Sequence, residues 1–251
     1  MSLPRISQLV FLVFGLAAIA WSGSARTPNS EQSPAQEDQP KPNSDELQHV
    51  IAQMDRTAAN FRTTQANFVW TQYTAVVNDI TDTQKGTIYF RRTGNQVEMM
   101  ADINDPAPPK YVLFTGSKLQ VYQPKIDQVT QYDTGKDRAT FESFLVLGFG
   151  GSGQDMLKSF DVKYLGTENV GDIETAKLDL VPKSEKARNT FNRIWLWLDP
   201  TRGVCVQQKL FAPDGDYRLA QYSDIRLNQK IPDSDFKLKT NSKTKFLSPK
   251  G

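Results

Sequence analysis

The chain has 251 residues, 38% of them hydrophobic, enough to bury a substantial core in one or two domains. Its 30 basic and 28 acidic residues leave a formal charge of +2, which gives no electrostatic case for nucleic acid or for an anionic membrane surface. Cys205 is the only cysteine, so an intramolecular disulfide and a thiolate metal cluster are both excluded.

At the N-terminus Arg5 precedes an apolar run from Leu9 to Ala20, and small residues follow as far as Gly23-Ser24-Ala25. That is the order of a secretory signal peptide over 1–25, with cleavage after Ala25. The run of about a dozen residues is short of the roughly 20 that a membrane span needs, an uncleaved anchor being the alternative. No cysteine follows it to carry a lipoprotein anchor, so the chain reads as exported. Residues 26–43 hold four prolines and no large apolar side chain; they cannot bury enough surface to offset their ordering entropy and read as a disordered linker. The folded part is one domain, 44–251.

That domain opens with a helix. Ser44, or Asn43 with Glu46 three residues on, can cap it, and Leu47, Val50, Ile51, Met54 and Ala58 then recur at helical spacing. His49, the only histidine, lies beside this stripe and reads as a surface residue. The period then changes to two. Phe68, Trp70 and Val76 alternate with more polar positions in a strand over 66–78. Further strands are expected over 83–92, 95–103, 110–115, 118–123 and 127–132, with Asp105-Pro106-Ala107-Pro108-Pro109 a rigid loop between two of them.

The interruption is 137–159. Asp137 can cap a helix in which Phe141, Phe144 and Leu145 share a face, and Gly148, Gly150, Gly151 and Gly153 follow. No lysine-serine pair follows these glycines, so they are not a phosphate loop; they read as a hinge beside a lid of exposed or half-exposed Phe. Met156 and Leu157 belong to a second short helix. Strands resume over 160–168, 173–181, 190–198, 203–211 and 216–227. Cys205, in GVCVQQ, reads as a small buried hydrophobe. Sequential strands joined by tight turns predict an antiparallel meander that curls or closes.

Catalytic signatures are missing. There is no GxSxG and no histidine-carboxylate metal pattern, and Asp172, Glu174 and Asp179 are scattered. The sites expected are therefore neither catalytic nor metal-binding, and no cofactor is expected. A carboxylate pair could still assemble in space, which keeps an envelope hydrolase open as a remote alternative.

The order of several segments carries a resemblance. QANFVWTQ (65–72), GTIYFRR (86–92) and YVLFTGSKLQVYQP (111–124) precede the helical insert, and LDLVPK (178–183), RIWLWLDPTRGVCVQQKLFAPDGD (193–216) and IPDSDFKLK (231–239) follow it. Over 44–240 the chain resembles the LolA-like periplasmic lipoprotein-carrier family. The resemblance implies a mainly β fold with helices, a curved, incomplete antiparallel β-barrel of about eleven strands under a helical lid. It also implies a monomeric periplasmic carrier that takes acylated lipoproteins from an inner-membrane exporter to an outer-membrane acceptor. By the same resemblance Arg92 ends its strand where the family's arginine contacts the lid in the closed, empty state. Thr93 stands where the family commonly has proline, and Trp70 where it often has glutamine. RseB-type envelope sensors share the fold and bind lipoproteins or lipids; they carry a second domain for which 251 residues leave no room, so the shuttle is the expected reading.

Sixteen acyl carbons at about 0.8 kcal/mol per methylene are worth roughly 12 kcal/mol against water. A carrier needs a concave apolar surface to match that, and Phe68, Trp70, Ile88, Phe90, Val97 and Met99 are its expected lining. Phe141, Phe144 and Leu145 are expected to cover it when it is empty, since bare it would be an aggregation hazard. Arg92 set among apolar walls is costly unless its donors are bound; lid carbonyls can bind them, so that loading breaks those bonds and limits affinity. Arg91 is expected to face solvent. In IWLWLDP, apolar on both faces, one side is expected to line the cavity and the other to pack on a helix.

Overall fold

The computed structural model describes residues 44–249 apart from 95, 136 and 137. The expected signal peptide, the linker, and the caps at Asn43 and Asp137 lie outside the described residues.

Helix α1 (Ser44–Asn60) buries the predicted face, Val50, Ile51, Met54 and Ala58, while His49 is exposed. Six strands follow: β1 (Thr63–Thr74), β2 (Asp79–Thr93), β3 (Gln96–Asp105), β4 (Lys110–Thr115), β5 (Lys118–Gln123) and β6 (Gln128–Asp133). Helices α2 (Arg138–Leu145) and α3 (Gly153–Ser159) interrupt them. The second run is β7 (Phe160–Val170), β8 (Ile173–Pro182), a single helical turn α4 (Glu185–Arg188), β9 (Arg193–Asp199), β10 (Val204–Phe211) and β11 (Tyr217–Leu227). A last strand, β12 (Lys245–Leu247), runs parallel to β6.

All twelve strands among the described residues form one sheet, in the order β12-β6-β5-β4-β3-β2-β1-β11-β10-β9-β8-β7. Two antiparallel meanders, β1–β6 and β7–β11, are thus joined where β1 pairs with β11. β7 and β12 remain edges, so the barrel is incomplete, as the resemblance implies; β12 adds one strand to the expected number. Its Phe246 and Leu247 stay exposed.

Strand alternation fixes which side chains share a face. On β2 the positions Gln84, Ile88 and Phe90 are buried, and on β1 Thr64, Ala66, Phe68 and Trp70 are. These belong to the concave face, which α1, α2, α3 and the segment between them cover. A smaller cluster on the convex face, Met100, Leu113, Ile231 and Phe236, holds the C-terminal segment.

Several expectations are corrected. The first strand ends at Thr74, and Val76, expected to alternate inward, lies in the hairpin turn with 94% of its surface exposed. A hairpin needs a turn before the next strand can pair, and β2 begins at Asp79. The outer side of IWLWLDP, expected to pack on a helix, is covered among the described residues by a lysine side chain. Ile194, Leu196 and Leu198 join the concave core, whereas Trp195 and Trp197 lie on the outer face beneath the Lys177 ammonium, 4.5 and 4.8 Å from their rings. An aliphatic stem under a charged head covers indole area without a helix.

Candidate functional site

The expected lining residues converge. Phe68, Trp70, Ile88, Phe90 and Met99 are each at most 3% exposed and share the main core cluster. Phe68 and Trp70 stack at 3.8 Å. Val97 is buried opposite Arg92 in the β2–β3 register, but outside that cluster.

This surface is filled by protein side chains. Phe144 is half-buried, as expected of a lid, whereas Phe141 is buried, a correction to the exposed or half-exposed side chain expected there; Leu145 of α2 is buried beside it. Phe141 packs on Phe114, and Phe144 meets Phe160 and Phe191. The deepest insertion is one that sequence reasoning missed. Phe149 is 1% exposed, stacked on Phe90 at 5.3 Å and edge-on to Tyr222 at 4.5 Å. A large apolar residue between two glycines was the available signal. Without a sense of where the backbone runs, it looks like part of a hinge.

The glycines have another physical content. At Gly148 (φ +84°) a Cβ would lie 2.3 Å from the Cβ of Cys205, and at Gly150 (φ +91°) it would lie 2.4 Å from the Phe61 ring. Both positions need a left-handed conformation and room for backbone alone. The glycines therefore let main chain press into the concave face, where its carbonyls become available to the sheet. The Cys205 N–H donates to the Gly148 carbonyl at 2.8 Å.

Arg92 uses the next of these carbonyls. Its Nη2 donates to the Gly150 carbonyl at 2.8 Å and its Nη1 to the Ala58 carbonyl, at the end of α1, at 3.1 Å. The guanidinium also stands 5.1 Å from the centre of the Phe61 ring. One cation thus joins the end of β2, the end of α1 and the covering segment. That segment is anchored further where Ser152 caps α3 and the Gln154 N–H donates to Asp55.

Arg91 points the other way but is not free in solvent. It pairs with Glu98 at 2.7 Å, bonds Asp233, and lies 4.3 Å above the Phe236 ring. Burial works against its charge, but Glu98 and Asp233 outweigh that and raise its pKa. The expectation of a solvating arginine fails because the C-terminal segment, distant in sequence, folds back over the convex face.

Reactive groups are scarce here. Burial pushes the Cys205 thiol up to about 12, which leaves it protonated and a poor nucleophile. Among the described residues no group of three His, Cys, Asp or Glu could hold a metal ion. No described helix is long and apolar enough to cross a membrane.

Comparison with known proteins places this geometry. The family model described as "Outer membrane lipoprotein carrier protein LolA" matches residues 59–239. No curated protein matches the chain. Among solved structures, MucB aligns with a TM-score of 0.50 and 12% identity, over 79% of this chain and 64% of MucB, so the chain spans less than two thirds of that protein. An uncharacterized conserved protein from Thermus thermophilus aligns with a TM-score of 0.50 and 9% identity, over 80% of this chain and 98% of that one. A LolA superfamily protein from Nitrosomonas europaea aligns at 0.38 and 15% identity, over 76% and 97%. At such identities the likeness concerns the fold alone.

Proposed function

From the premise that this chain belongs to the LolA outer membrane lipoprotein carrier family, we propose that it is a periplasmic carrier that binds the acyl chains of lipoproteins on its concave face. In this reading it receives them at the inner membrane and releases them to an acceptor at the outer membrane. The observation that carries the reading is the Arg92 clasp. The guanidinium holds the Gly150 and Ala58 carbonyls over an apolar floor, and Phe149 occupies the space an acyl chain would take.

The chemistry follows from competition. An acyl chain gains burial against Phe68, Trp70, Ile88, Phe90 and Met99 only by expelling Phe149 and the helix that carries Phe141, Phe144 and Leu145. Expulsion separates Arg92 from Gly150 and strands the guanidinium beside apolar side chains. Charged hydrogen bonds are worth about 1.5–3 kcal/mol each, so each one broken weakens loading by roughly ten- to a hundredfold. Cargo is held against water yet stays releasable to a partner that binds it better.

The test is lipid analysis by mass spectrometry of protein isolated gently from its own periplasm, with Arg92→Leu in parallel. Acyl-bearing cargo is expected on the native protein and in greater amount on the variant, which should also transfer it poorly to outer-membrane fractions. Protein that carries no lipid and rejects fluorescent acyl probes overturns the reading. Binding without transfer, together with stoichiometric capture of one membrane protein, replaces the shuttle by a sensor.

A further inference from the structure

The concave floor is not wholly apolar. One row across the sheet runs from Leu196 of β9 through Gln208 of β10 and Ala220 of β11 to Trp70 of β1, each neighbouring pair in register. Gln208 thus sets an amide among apolar neighbours, and it is 6% exposed. Its Nε2 donates to the Tyr222 Oη at 2.8 Å. Tyr222 lies two residues along β11 from Ala220, opposite Phe68, and is 8% exposed. On one side of this row the face turns polar, where Gln72 is in register with Arg218 and with Asp82. On the other lie Phe68, Ile88 and Phe90.

This buried pair holds more donors than it uses. A phenol carries one donor hydrogen and a primary amide two. One amide hydrogen makes the bond to Tyr222; the phenolic hydrogen and the second amide hydrogen meet no acceptor among the described residues. The Trp70 indole, the other polar group beside the Tyr222 oxygen, is a donor only and cannot take the phenolic hydrogen. Burial raises the Tyr222 pKa, so the hydroxyl stays neutral and keeps that hydrogen. Phe149, edge-on to Tyr222 at 4.5 Å, brings no lone pair to it. Once Phe149 is expelled, the space it leaves borders both Tyr222 and Phe90. A buried donor without an acceptor is destabilising, and the group that next fills this space can supply one.

We propose that Tyr222 and Gln208 bind the carbonyl oxygen of the ligand's acyl linkage, so that the site selects acyl esters and amides over bare alkyl chains. The inference rests on the acyl-binding reading above and specifies the linkage that the same site recognises. A carbonyl oxygen has two lone pairs and can accept from both side chains. Being neutral, it enters a buried place at far less cost than the carboxylate of a free fatty acid. The placement also gives the ligand a direction. Its head lies toward Gln72 and Asp82, and its chain runs through the space of Phe149 toward Phe90. Phe68, opposite Tyr222, and Thr64, opposite Phe90, are four residues apart on β1, about 13 Å of apolar floor. Burial of the chain sets the strength of binding, and the two donors set which chains are taken.

The test is displacement of a fluorescent alkyl probe from the full chain by a monoacylglycerol and by the alkyl glycerol ether of the same chain length, which lacks only the carbonyl oxygen. The ester is expected to be about tenfold more potent, as two neutral hydrogen bonds would give. Tyr222→Phe keeps the ring that meets Phe149 and removes only the hydroxyl; it should cut the advantage to about threefold. Adding Gln208→Leu should erase it, with the potency of the ether unchanged throughout. Should the double variant fail to fold, Tyr222→Phe alone decides. Equal potency of ester and ether on the wild type, or an advantage that Tyr222→Phe retains in full, overturns the carbonyl site and leaves acyl binding standing. A free fatty acid of that length that outcompetes the ester makes the pair a carboxylate site, which also overturns the proposal. If neither probe nor lipid binds, the acyl reading fails and this inference with it.

Discussion

Replacing Phe149 by alanine separates the closing of the concave face from its construction. The ring is buried, stacked on Phe90 and edge-on to Tyr222, and truncation of such a phenylalanine costs roughly 3–5 kcal/mol. Phe149 makes those contacts only while its loop is seated, so the loss falls on the closed state and not on an opened one. Taking the lower bound, about 3 kcal/mol moves the balance toward opening by roughly a hundredfold. Apparent ligand affinity scales with the fraction of competent molecules, so an acyl probe should bind Phe149→Ala up to about a hundredfold more tightly than wild type. Probe titration measures this, and hydrogen exchange across 146–152 should rise in step. The reasoning is refuted if those amides exchange faster while probe affinity stays constant or falls, because the loop would then not compete with the ligand.

Two further predictions concern the frame around the site. Arg91→Ala should destabilise the protein by about 1–2 kcal/mol, from the lost charged hydrogen bonds and the Phe236 contact, and should expose 231–239 to proteolysis while probe binding stays at the wild-type level; a protease-resistant C-terminal segment would contradict it. Asp199 accepts the Thr201 and Arg202 N–H groups and the Arg202 Nε at 2.9, 3.1 and 2.6 Å. Burial works against its charge, but these donors outweigh that and lower its pKa. A carboxylate lowered on folding adds stability that is complete above its unfolded value of about 3.9 and lost as pH falls through the folded value. Asp199→Asn should therefore cost about 1–2 kcal/mol at pH 7 in urea unfolding, with the gap to wild type closing as acid protonates the folded carboxylate; a gap that persists in strong acid would tell against this account.

The strands were legible because alternation is a local signal. Phe68 and Trp70, and Ile88 and Phe90, can be read from neighbours two residues away, as can the α1 stripe from neighbours three and four away; IWLWLDP, apolar on both faces, did not show which side turns inward. The strand β12 left little trace, since three residues, Lys245–Leu247, pair with a strand more than a hundred positions earlier. Arg92 was singled out in the sequence because its position in a recognisable segment placed it; Arg91, adjacent and chemically identical, was misread because Asp233 and Phe236 reach it only through the fold.

The sequence by itself determined which side chains could share a face, since the periods of strand and helix follow from backbone geometry. It also determined that an apolar surface must exist and must be covered. Tertiary structure alone decided what covers it. The glycines between α2 and α3 read as freedom in one dimension, yet in three they are the places where backbone must approach Cys205 and Phe61 too closely for a side chain. The same holds for Arg218, Gln72 and Asp82, which come from three strands. Each looks ordinary in its own segment, and Gln72 stands abreast of Arg218 and Asp82 only because the sheet pairs their strands in register.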